Sequence, residues 1–312
     1  MRAVTRVRGP APATRVARGA RRGVTLAELL VAAAVGGLVS TAAVVSAVRV
    51  RRAAAVGNAR ALAAAQLAQA AGVLAHELRG AAPSAGPDDG ADLIEATDSA
   101  VDVRATLGAS VACAVTPAGV GSAVDLAPAA AGLAWWHAAP RAGDVALVHD
   151  PGVLPGAADD AWRERAVVSA DASAEVCVAG PFASAAPPAA PRWRLALAGP
   201  ALPATVAAGA PVRVVRRRRY VLYRGGDGLW AFGVREWDGA ALQAVQPIAG
   251  PFEPPARGGM RAEVRDSSGA VVAAGGPGVT SVDVRLAAAR RVLHVWRDSA
   301  RVRVRPGGGW AP

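Results

Sequence analysis

Glu28 is the residue whose chemistry most needs an explanation. It lies near the start of an apolar run, residues 24–48, that contains no other charged side chain. A charged group at the bilayer centre costs roughly 2.5–3.5 kcal/mol on insertion scales. A segment that only anchored a chain would not carry it, so this acid needs a partner. The other reactive side chains are scattered. The four histidines, His76, His137, His149 and His294, form no His-Glu-x-x-His pattern and adjoin no Cys-x-x-Cys. His149 and Asp150 have the elements of an acid–base pair, but a surface turn is the simpler expectation. No Gly-x-Ser-x-Gly elbow occurs. Asp88, Asp89 and Asp92 are hard oxygen donors suited to calcium, yet their spacing is not that of an EF-hand, and a solvated loop is expected.

Two further groups could bind something. Arg216, Arg217, Arg218 and Arg219 run into Tyr220 and Tyr223. Clustered arginine neutralises phosphate and aromatics stack on bases, so this run is a candidate DNA contact. The same residues also read as alternating strand text whose arginines coat an exposed face. Cys113 and Cys177 are the two cysteines. In an exported chain they suit one disulfide, and two buried free thiols are the alternative. Lysine is absent, all 35 basic residues being arginine, which excludes a Walker lysine and any Schiff base. No residue set suggests a cofactor, a metal or a catalytic centre, so an enzyme is not expected.

The hydropathy pattern sets the elements that carry these residues. Residues 24–48 exceed the ~20 needed to cross a bilayer as a helix. A carboxylate inside the run, and its length, argue against an ordinary cleaved signal peptide. Gly36 and Gly37 fit close helix packing at mid-span. Arg49, Arg51 and Arg52 end the span, and a helical stripe continues through Val56, Ala63, Leu67, Ala70, Leu74 and Leu78. Pro83 ends it. The whole helix, from Val24 to about Arg79, would be ~84 Å long at 1.5 Å per residue.

Beyond about residue 85 the texture changes to short apolar or alternating runs between Gly, Pro and Asp. Strands are expected at 111–115, 144–148, 175–178, 192–197, 212–224, 229–237, 261–265, 279–286 and 291–296. Gly225-Gly226-Asp227-Gly228 reads as a hairpin turn and Asp266-Ser267-Ser268-Gly269 as another. Trp135 and Trp136 are adjacent, so both cannot face inward on one strand. The fold class is α+β: a long N-terminal helix on a mainly antiparallel β domain. The expected divisions are a basic leader over 1–23, a transmembrane helix over 24–48, its periplasmic continuation over 49–82 and a β-rich domain over 83–312.

Charge is unevenly placed. The chain carries +11, and residues 1–23 hold seven arginines and no acid. Without that segment the charge falls to +4, so the high pI describes the leader rather than a nucleic-acid surface. By the positive-inside rule those arginines hold the N-terminus in the cytoplasm and send the rest outward.

Gly23-Val24-Thr25-Leu26-Ala27-Glu28-Leu29-Leu30, after basic residues and before an apolar helix, resembles the cleavage and methylation motif of type IV prepilins and type II secretion pseudopilins. The family most often has Phe at the position of Val24. The resemblance implies that a prepilin peptidase cuts after Gly23 and methylates the new amine of Val24. It implies that Glu28 neutralises the amine of a neighbouring subunit during assembly. A second resemblance, over 212–287, is to the larger minor pseudopilins of J or W type. It rests on Tyr220-Val221-Leu222-Tyr223-Arg224, Leu229-Trp230, Gln246-Pro247-Ile248 and the strand over 279–286. The implied partners are the peptidase, other pilin-like subunits, the inner-membrane assembly platform and the lipid bilayer, with DNA a lesser candidate. The implied location is the inner membrane as a single-pass protein, then a filament. The rival reading is a signal-anchored binding protein with an uncut N-terminus.

Overall fold

Alanine and leucine, good helix formers, dominate residues 26–80. They form one 55-residue α-helix, α1 (Leu26–Gly80). A computed structural model of the chain describes residues 23–81, 91–117, 121–128, 134–154, 159–172, 192–275 and 279–289, and the backbone of 299–304. The contacts divide the chain into two units, Met1–Gly57 and Asn58–Pro312, so α1 contributes to both. In the first unit the described residues are helical from Leu26 onward and exposed apart from a half-buried Val56.

The second unit begins with the last turns of α1. Leu67, Ala70, Leu74 and Leu78 are buried there, on the stripe read from the sequence, and Ala75 widens it. Among the described residues thirteen strands come after it: β1 (Leu93–Ala96), β2 (Ala100–Pro117), β3 (Ser122–Leu126), β4 (Trp135–Trp136), β5 (Val145–Asp150), β6 (Ala161–Ala172), β7 (Trp193–Leu197), β8 (Pro211–Arg224), β9 (Trp230–Glu236), β10 (Gln246–Phe252), β11 (Met260–Asp266), β12 (Val279–Ala287) and β13 (Ser299–Val304). Every pairing between them is antiparallel. The fold is therefore α+β, as the sequence pattern predicts.

Two long strands organise the unit. β2 and β8 pair from Ala100–Val221 to Val111–Pro211. Their first-half and second-half neighbours differ. Toward one end they belong to an open sheet, β1-β2-β8-β9-β10, whose face packs against α1. Its core joins Leu74 and Leu78 to Val101, Val103, Tyr220, Leu222, Phe232 and Phe252, with Met260, Val282 and Leu286 from the small sheet β11-β12-β13. Toward the other end β2 pairs with β3 and β8 with β5, and β3-β7-β6-β5 joins them. Six strands thus close into a ring, β2-β3-β7-β6-β5-β8, around Leu107, Val124, Leu126, Val148, Leu195, Leu197 and Val212. Closing the ring removes the unpaired edges that an open sheet would expose.

The turn at 225–228 is a hairpin joining β8 to β9, with Gly228 at φ +77°, a conformation glycine adopts without steric cost. Asp266 Oδ1 accepts from the N–H groups of Ser268 and Ala270, which fixes the other expected turn. Gly108 admits the Trp136 ring against the β2 backbone, where a Cβ would meet Cε3 at 2.2 Å. Trp136 packs on the ring's core; Trp135 and Trp136 are both half-buried. The expected strands at 175–178 and 291–296 lie outside the described residues. Strands β1, β3, β4, β6, β10 and β13 were not legible as such, since their alternation is short or interrupted by charge and proline.

Two expectations are corrected. His149 and Asp150 are not a surface turn but the end of β5, and Asp150 is buried. Its carboxylate meets Arg163 at 2.6 Å and accepts from the Thr205 hydroxyl and the Gly152 N–H. Asp92 is not solvated in a loop. It is buried and pairs with Arg213 at 2.6 Å, while Asp88 and Asp89 lie outside the described residues.

Candidate assembly site

The residues at 23–28 form a helix N-terminus with a specific hydrogen-bond pattern. The backbone N–H and the hydroxyl of Thr25 both donate to Glu28 Oε2, at 3.0 and 3.1 Å. The Glu28 N–H donates to Thr25 Oγ1 at 3.3 Å. This is a capping box: a Thr at the N-cap and a Glu three residues later satisfy each other's orphan donors. The negative carboxylate also lies where the helix dipole favours it. The helix consequently starts at Leu26, two residues after the start expected from hydropathy alone. None of these bonds uses Gly23, so a cut between Gly23 and Val24 leaves them in place. Among the described residues nothing donates to Glu28 Oε1, so that oxygen is available to a second donor.

The apolar stretch beyond the cap leaves a large apolar surface uncovered. Twelve large apolar side chains between Val24 and Val50 are exposed, Leu26 at 80% and Leu38 at 73% among them. Fully burying such a side chain is worth about 1.5–3 kcal/mol; scaled by exposures of 40–80%, roughly 10–20 kcal/mol is unrealised along this segment. That is comparable with the ~5–15 kcal/mol by which a typical domain is stable. The helix is long and apolar enough to cross a membrane. Thr41 donates to the Gly37 carbonyl at 2.8 Å, so this hydroxyl is satisfied within the helix. The segment matches a known pattern as well.

Residues 18–44 carry the prokaryotic N-terminal methylation motif. No curated protein and no solved structure matches the chain. The motif supports the type IV pilin and pseudopilin family, whose members are structural rather than catalytic. It implies processing by a prepilin peptidase and assembly with pilin-like subunits in the membrane. With the apolar helix it supports single-pass anchoring in the inner membrane.

The remaining candidates are dispersed through the β domain. Cys113 lies on β2, and Cys177 lies outside the described residues. The four arginines of β8 do not coat one exposed face. Arg216 is buried and holds Asp144 through two bonds of 2.7 and 2.9 Å. Arg217 grips Asp102 at 2.7 Å and stacks over Trp237, its guanidinium 5.3 Å from the ring centre. Arg218 bridges Glu77 of α1 at 2.7 Å and Glu236 of β9 at 3.0 Å. Arg219 meets Glu95 at 3.1 Å. The hydrogen bond from Arg217 to Asp102 raises the Arg217 pKa further. Burial, with the Glu77 charge beside it, keeps Tyr220 protonated well above the usual phenol range.

These pairs act as joinery between elements. Glu77, Arg218, Glu236, Arg216 and Asp144 link α1, β8, β9 and the start of β5 in one chain of contacts. At the C-terminus of α1, Arg213 donates to the Gly80 carbonyl at 2.7 Å and the Thr106 hydroxyl does so at 3.2 Å. Carbonyls there have no partner within the helix, so a guanidinium is a fitting cap. Thr25 is the capping residue that the hydropathy pattern does not reveal. Its signal was present, because Thr-x-x-Glu before an apolar run is the capping-box signature.

Proposed function

We propose that this chain is a minor pilin or pseudopilin subunit that a prepilin peptidase cuts after Gly23. The new α-amine of Val24 is methylated, and the helix over 24–48 holds the subunit in the inner membrane until assembly. The β domain then lies outside the cytoplasm. The observation that carries the reading is Glu28 at the head of an apolar helix inside the matched motif. Thr25 satisfies one carboxylate oxygen from within the chain. Oε1 is left for the amine of an adjacent subunit. In hydrocarbon an unpaired charge is costly and a paired one much less so. Subunits therefore stack in the register that brings amine and acid together.

The β domain, with its six-stranded ring built between β2 and β8, is large for a repeated shaft subunit and suits a tip or priming component of J or W type. A disulfide between Cys113 and Cys177 fits an exported domain. A DNA-uptake pilin is a second reading, but no specific observation favours it, since carboxylates engage Arg216, Arg217, Arg218 and Arg219.

The test is the mature N-terminus. Mass spectrometry of the exported chain should find methylated Val24. Glu28→Ala should leave cleavage intact and block entry into filaments. An exported chain that still carries residues 1–23 would refute the reading and favour a signal-anchored protein.

A further inference from the structure

We propose that His76 and His137 together form a surface site for a divalent transition-metal ion of the zinc, nickel or copper type. Their ring centroids are 5.6 Å apart with an interplanar angle of 65°. Zn–N bonds of about 2.0–2.1 Å place two imidazoles on one tetrahedral or trigonal ion roughly 5–6 Å apart, centre to centre. The observed spacing falls in that range.

Both rings are mounted on fixed elements. His76 lies on α1 one turn before Gly80, whose carbonyl is held by Arg213 and Thr106. His137 directly follows β4; its N–H donates to the Leu107 carbonyl at 2.7 Å, and its ring leans on Trp135 at 4.8 Å between centroids. Both histidines are exposed, so an ion reaches them without any opening of the fold. Imidazole is the ligand class that suits zinc, copper and nickel, and not calcium or magnesium. Among the described residues no group of three or more His, Cys, Asp or Glu could hold a metal. The site therefore offers two protein ligands and leaves the other positions to water or to a donor from another molecule. A bound ion would tie the last turn of α1 to the strand that caps the β2 side of the ring.

The experiment uses the full chain in detergent, stripped with a chelator and titrated with Zn2+ or Ni2+. Calorimetry should find one ion bound at micromolar concentration, with a rise in melting temperature. His76→Ala and His137→Ala should each weaken binding at least ~10-fold, the scale on which loss of support at a metal site acts. His149→Ala and His294→Ala should bind as the parent does. Because both side chains are exposed, the variants should keep the parent circular dichroism. Failure of the parent to bind, or unchanged binding in both His76→Ala and His137→Ala, would overturn the proposal. Neither result bears on cleavage after Gly23, which is read separately.

Discussion

Asp144→Ala should cost more stability than any substitution on the surface of the β domain. Asp144 is fully buried, and its partner Arg216 has 6% of its side chain exposed. Two hydrogen bonds of 2.7 and 2.9 Å join them, and the Arg141 N–H adds a third to Asp144 at 2.8 Å. Removing one member of a buried pair strands the other and costs about 3–5 kcal/mol. Arg216 keeps the Ala139 carbonyl at 3.2 Å and Glu236 at 3.6 Å, which places the cost near the lower end. In a unit of this size 1 kcal/mol shifts the melting temperature by roughly 2–4 °C, so ~3 kcal/mol predicts a fall of about 6–12 °C. The assay is thermal melting of the full chain in detergent, followed by near-ultraviolet circular dichroism of the tryptophans. Arg216→Ala should fall similarly. The double variant should fall by clearly less than the sum, because neither charge is then left alone. A fall of under ~2 °C for Asp144→Ala, or strict additivity, would refute the view that β8's arginines are structural. A DNA role predicts the opposite: loss of salt-sensitive DNA retention with an unchanged melting temperature.

Thr25→Ala should weaken the helix start by about 0.5–2 kcal/mol, and Thr25→Ser should restore it; exchange protection of the amides at 26–28 reports this. The Asp150 carboxyl is buried, which alone would raise its pKa, but hydrogen bonds from Thr205, Arg163 and the Gly152 N–H outweigh that and hold it below the usual carboxylate range. A depressed folded pKa gives stability that is present above the unfolded value of about 3.9 and lost as pH falls through the folded one. Melting temperature should thus be flat from neutral pH to about 5 and decline below about 4, and Asp150→Asn should blunt that acid limb. Non-reducing mass spectrometry of the exported domain should find Cys113 and Cys177 joined, and reagents for free thiols should label neither.

Much of the first unit was legible because its signals are local. A carboxylate in an apolar run, a glycine before it and basic residues upstream need no tertiary contact to be read. The stripe of Leu67, Ala70, Leu74 and Leu78 was equally plain, since 3.6-residue periodicity follows directly from helical geometry. The hairpin at 225–228 was legible because glycine is needed there on backbone grounds.

Sequence alone thus determined the long apolar helix, the motif and the antiparallel character of the rest. Tertiary structure decided what the charges do. Asp92 reads as a solvated loop residue, and the fold buries it, like Asp102 and Asp144, against an arginine far along the chain. It decided that β2 and β8 serve both an open sheet and a closed ring, because a strand's second neighbour is set by pairing and not by its own residues. It also brought His76 beside His137. Periodicity reports which face of an element is apolar; which partner meets that face, and which ion answers a buried charge, depends on chain segments far away in the sequence.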